Sequence, residues 1–193
     1  MKLIGLDVGT KRIGISKADS STKIAIPDGF VEVNGQEFIE IARIARMNNT
    51  STFVVGLPRN NSGEETKQSL YVRDFARQLA MSIPNTKIYF EDESLTSVEA
   101  ERRLKERKKK YEKGEIDAEA ASIILQDFLE RLRTNNVTTM KPYTSEQAKK
   151  ENDSEVATGV NNVKKNSKKK SSKKSKKKVI LVVFLSVIIL CGA

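Results

Sequence analysis

Three stretches of this 193-residue chain put carboxylates where a carboxylate is hard to explain. Asp7 stands inside LIGLDVGTKRIGIS, residues 3–16, where Leu3, Ile4, Leu6 and Val8 otherwise read as a buried strand. A charge there is unfavourable unless something positive meets it. Glu91, Asp92 and Glu93 follow an apolar strand in FEDESLTS, residues 90–97, just ahead of a helix start. Asp117 lies in KGEIDAEAASIILQ, four residues before Ala121, in line with the apolar stripe of a helix. Acids drawn from distant parts of a chain suit hard divalent ions, which prefer oxygen ligands. Two such ions about 4 Å apart can activate a water and stabilise the leaving oxygen in phosphodiester cleavage. Each acid taken alone also has a plainer reading. Asp117 in a first helical turn would favour the helix dipole, and residues 91–93 would serve as an ordinary acidic loop.

Composition narrows the chemistry. The chain has no histidine, which excludes histidine-based triads and most zinc sites. Its single cysteine, Cys191, cannot form an internal disulfide, which fits a reducing compartment. The first residues start a strand and do not read as a signal peptide. The formal charge of +10 belongs to one segment: residues 164–178, KKNSKKKSSKKSKKK, hold ten lysines and no acid. The other 25 basic residues (35 less 10) balance the 25 acids. The high charge therefore says nothing about the globular part.

Around the acids, the pattern predicts strands over residues 2–8 and 12–18 and a third near 23–33, broken by Pro27 and Gly29. Phe38, Ile41, Ala42 and Ala45 predict a helix near 35–47, and STFVVGLP a short buried strand. A second helix is expected near 64–82, a strand at TKIYF, and a helix near 97–110 capped by Thr96 and Glu99. The last helix is expected near 115–133. A meander of strands followed by alternating helices and strands predicts an α/β domain with a mixed sheet.

Residues 1–134 are read as that domain, and 135–178 as a disordered Lys-rich linker whose composition cannot offset chain entropy. Residues 179–193, VILVVFLSVIILCGA, are apolar and are read as a transmembrane segment, short or cut off. The adjacent lysines would face the cytoplasm and attract anionic lipid. The domain is thus expected in the cytoplasm, tethered to the cytoplasmic face of the membrane.

GLDVGTKRIGIS, VVGLPRNNSGEE, EDESLTSVEA and KGEIDAEAASIILQDFL occur in that order. Together they resemble the four motifs of the YqgF family of RNase H-like proteins over residues 1–133. Members are described as Holliday-junction-resolvase-like and as pre-16S rRNA nucleases. The resemblance implies an RNase H-like fold, a central mixed sheet flanked by helices. It implies metal-dependent cleavage of nucleic acid, Mg²⁺ or Mn²⁺ serving as two ions, in maturation of the 5′ end of 16S rRNA, with branched DNA as a further substrate. It also implies a catalytic trio: Asp7, Asp117, and a middle acid in DESLT assigned to Glu93, with Asp92 the close alternative. The family's arginine after that acid pair is Ser94 here, and a serine cannot bind phosphate as a cation does.

The nucleic-acid surface is expected at Lys11 and Arg12 in the first turn, and at Arg59 and Asn60 in the loop after GLP, with Asn61 and Ser62 beside them. It should continue along RRLKERKKKYEKG, residues 102–114, through Arg102, Arg103, Lys105, Arg107 and Lys113. That stretch carries eight basic side chains against two acids. Tyr111 is its only aromatic. Two other classes compete. A sugar-kinase or actin-like ATPase uses a similar Asp-x-Gly-Thr turn but needs two such lobes. A catalytically weak RNA-binding adaptor at the membrane would share the basic surface without cleavage.

Overall fold

A computed structural model describes residues 1–60, 64–93, 100–103, 105, 113–133 and 141–154, the side chain of Glu93 excepted. Three strands come first: β1 (Lys2–Val8), β2 (Arg12–Asp19) and β3 (Ile24–Glu32). Then follow α1 (Glu37–Met47), β4 (Thr52–Pro58), α2 (Lys67–Ser82), β5 (Lys87–Glu93), α3 (Lys113–Arg133) and β6 (Tyr143–Thr144). They form one six-stranded sheet in the order β3-β2-β1-β4-β5-β6. The first hairpins are antiparallel, while β1–β4 and β4–β5 are parallel. This is the mixed, RNase H-like sheet that the motifs imply.

Strand β1 is covered on both faces, which is why it reads as a nearly unbroken apolar run. Alternation sends Ile4, Leu6 and Val8 into a core shared with Ile41 and Ala45 of α1 and Val72, Phe75 and Leu79 of α2. Leu3 faces the other way, toward Ile124, Leu125 and Phe128 of α3. Phe38 stacks on Phe75, and Phe128 tilts against Tyr89, each pair with ring centres 5.1 Å apart. Asp7 has the parity of Leu3, so it belongs to the α3 face.

The fold differs from the expected boundaries in two places. Glu91, Asp92 and Glu93 lie within β5, paired with Gly56, Leu57 and Pro58, and not past its end. Parallel pairing to β4 lengthens the strand beyond its apolar stretch. At the other end, the compact unit runs to Ser154, so residues 141–154, expected in a disordered linker, belong to it. Tyr143 pairs with Ile88 at the edge of β5, and residues 145–154 are helical with Ala148 fully buried in the core. Tyr143 also donates to Glu151 at 2.6 Å. So short a strand and one alanine carry little sequence signal; packing against β5 holds them, and it covers a strand edge that would otherwise stay open.

Most of the helix expected near 97–110 lies outside the described residues, as do residues 155–193, including the expected lysine-rich and transmembrane segments. Among the described residues no helix is long and apolar enough to cross a membrane.

Candidate functional site

The pivot of the site is Gly14. In the β1–β2 hairpin it is the direct partner of Asp7, so both point to the α3 face. The first turns of α3 lie on that spot so closely that a Cβ at Gly14 would collide with the carbonyl of Asp117. Ser16, two residues along the same face, fixes the helix by donating to the Ala121 carbonyl at 2.8 Å. The backbone of Asp117 thus packs on the glycine that pairs with Asp7, 110 positions earlier in the chain (117 less 7). Arg12 joins them from the start of β2: its Nε donates to Asp117 Oδ2 at 2.6 Å, both side chains about a quarter exposed.

The turn beside Asp7 is held from α2. Gln68 donates to the Val8 carbonyl at 3.1 Å, and the Tyr71 hydroxyl reaches the Gly9 carbonyl at 3.5 Å. Ser69, the next residue on α2, donates to the Pro58 carbonyl and closes a capping box with Thr66. The start of α2 therefore ties the turn after β1 to the end of β4. Asn60 and Glu64 close the loop between β4 and α2 on themselves, Glu64 N donating to Asn60 Oδ1 at 2.7 Å. Arg59 pairs by backbone with Glu65 on that exposed rim.

The middle acids divide by face. Glu91 pairs with Gly56 and has the parity of Tyr89, which packs against Phe128 of α3. It is therefore on the Asp7 face, 4% exposed, with Arg131 of α3 donating to its carboxylate. Asp92 pairs with Leu57 and points to the opposite face, where it is exposed. Adjacent strand residues cannot share a face, so the alternative ligand Asp92 is not brought to Asp7. The Glu93 backbone ends β5 opposite Pro58, and its side chain lies outside the described residues. Among the described residues no group of three or more acidic, histidine or cysteine side chains is close enough to hold an ion. The Asp7–Asp117 pair fits a hard cation by donor chemistry, both being carboxylates.

Of the expected basic surface, Lys11, Arg59, Asn60, Arg102, Lys105 and Lys113 are exposed. Arg103 lies 4.0 Å from the buried Glu119 of α3, and Lys105 pairs with Glu101 at 2.9 Å. Asn61, Ser62, Arg107 and Tyr111 lie outside the described residues. Sequence reasoning missed Arg131, whose i+3 spacing from Phe128 was the available signal. It also missed Phe30 on the edge strand β3, where a single aromatic in a broken apolar run carries no signal of its own.

Burial pushes Glu91 up to about 7 from its ordinary 4.5, with Arg131 opposing the rise. The folded state therefore holds a proton that the unfolded chain releases near pH 4.5. The resulting stabilisation is fully present below about pH 4.5 and is lost as pH rises through about 7. In urea unfolding with EDTA, the wild-type chain should lose more stability between pH 5 and pH 8 than Glu91→Gln. Equal losses would show that Glu91 is ionised throughout that range.

A model of the RuvX Holliday junction resolvase family matches residues 1–131. A protein of Sulfurihydrogenibium sp. (strain YO3AOP1) named "Putative pre-16S rRNA nuclease" is 37% identical over 143 residues, 74% of this chain and 99% of that one. A Synechocystis protein of the same name is 39% identical over 136 residues, 68% of this chain and 89% of its own. Among solved structures, Thermus thermophilus RuvC in complex with a Holliday junction substrate aligns with 74% of this chain and 99% of its own, at 15% identity and a TM-score of 0.47.

Proposed function

The chain belongs to the RuvX Holliday junction resolvase family, and from that premise we propose that it is a divalent-metal-dependent nuclease. It hydrolyses phosphodiester bonds of precursor 16S rRNA in maturation of the 5′ end, with branched DNA as a second substrate. The relatives' names support the RNA assignment. The observation that supports the chemistry is the packing of the Asp117 backbone on Gly14, the strand partner of Asp7.

Asp7 and Asp117 would hold Mg²⁺ or Mn²⁺, with Glu93 completing the set. When bound, such ions would supply Lewis-acid stabilisation of the charge that develops on the phosphoryl group and would favour attack by water. The protein's own part is positional. Arg12 orients the Asp117 carboxylate through Nε, and its two Nη groups are the donors proposed for the substrate phosphate. That role offsets the missing arginine at Ser94. Lys11, Arg59, Arg102, Lys105 and Lys113 bind the backbone around it, while Gln68 and Tyr71 keep the Gly9 turn from shifting under the phosphate.

Two outcomes are expected. The full chain should cut a precursor fragment spanning the 16S 5′ end in Mg²⁺ or Mn²⁺, and a four-way junction more slowly. Binding without cleavage of either would make the chain an adaptor. In an inactive background, Arg12→Ala should reduce the slope of log K against log salt by about one, as loss of one phosphate contact requires. An unchanged slope would remove Arg12 from the interface. From composition we also propose a tether through residues 164–193 to anionic membranes. Loss of co-sedimentation with anionic vesicles on deleting them would support it.

A further inference from the structure

The large apolar side chains left exposed among the described residues include one aromatic, Phe30, at 41%. Its strand neighbours Ile24 and Ile26 are also exposed, but they pair with Asp19 and Lys17 and so lie on the α1 face, away from the acids. Phe30 pairs with Gly14, the same residue that Asp7 pairs with from the other side. Phe30, Gly14 and Asp7 thus form one row across three strands, all on the α3 face. Two strand spacings separate Phe30 from Asp7, about 10 Å.

The ring is held in place from two directions. Gly114 in the first turn of α3 is buried against it, and a Cβ at that position would collide with the ring. The Arg12 guanidinium lies over the ring, 6.0 Å from its centre, while Arg12 also binds Asp117. One arginine therefore links an exposed aromatic ring to the acid pair. A residue serving only to seat α3 would gain from being covered, as Phe128 on this face is: it is fully buried.

We propose that Phe30 is a stacking platform for an unpaired nucleobase next to the scissile phosphate. This rests on the nuclease reading and deepens it: the substrate is nucleic acid with an unstacked nucleotide at the cut site, not a continuous duplex. Aromatic rings take up such bases because every base offers a π-face, and the contact is tolerant of sequence. With its phosphate at Arg12 and the acids, the adjoining nucleotide has its base within reach of the ring.

The test is a coupling experiment on the full chain carrying Asp7→Asn, so that RNA is bound and not cut. Binding of a precursor fragment is measured with an abasic nucleotide moved through each position, with and without Phe30→Leu. In the protein that keeps Phe30, one abasic position should weaken binding about tenfold. Phe30→Leu should weaken the intact RNA by a similar factor and abolish the further effect of that abasic position. Phe30→Tyr, which keeps the aromatic face, should restore both. Abasic profiles that are identical with and without Phe30→Leu would overturn the platform and leave the nuclease reading standing. Failure of the unsubstituted chain to bind or cut any of the RNAs would overturn both.

Discussion

Asp7→Asn should lower metal-dependent cleavage by at least about a thousandfold while leaving the protein folded. Replacing a carboxylate by an amide removes one negative donor from the Asp7–Asp117 pair without changing its size. A metal centre contributes several kcal/mol to transition-state charge stabilisation, and about 4 kcal/mol corresponds to three decades of rate. Stability should move the other way. Asp7 is half-buried in the central strand, on the face where α3 brings Asp117, so neutralising it relieves repulsion whenever no cation is bound. In EDTA the melting temperature of Asp7→Asn should equal or exceed that of the wild type, as is common where function holds like charges together. The pair of measurements separates the two roles. A variant retaining a tenth of the activity would exclude Asp7 as a ligand, and a large fall in melting temperature would make it structural.

Gly14→Ala should be the most damaging small substitution in the domain. An added methyl group meets the Asp117 backbone, and backbone cannot move aside as a flexible side chain does. The strand or the helix must shift, and Ser16 resists by holding Ala121 two residues further along the same face. Overpacking of this kind costs about 1–3 kcal/mol, a fall of up to roughly 10 °C in melting temperature for a domain of this size. Cleavage should be lost at temperatures where the variant is still folded, because the displaced segment carries Asp117. Full activity at about 20 °C, well below even the lowered melting temperature of a typical domain, would show that the acids tolerate separation and that Gly14 serves packing alone.

Local pattern carried much of this protein. Alternation and helical spacing located the strands β1 to β5 and the helices α1, α2 and α3 to within a few residues, because each except the broken strand β3 is a nearly unbroken apolar strand or a striped helix. A charge inside an apolar run marked Asp7, and alignment with a helix stripe marked Asp117, since both are departures from patterns that neighbours set. Which carboxylates share a face depends on pairing between strands far apart in the chain. That register set Asp7 beside Gly14, the glycine on which the Asp117 backbone packs, turned Asp92 away, buried Glu91 against Arg131 and put Phe30 in one row with Asp7. It also drew residues 141–154 into the core through Ala148 and the β5 edge. Periodicity is a property of neighbours along the chain, whereas a site is made by neighbours in space, and only the packed sheet and helices supply those.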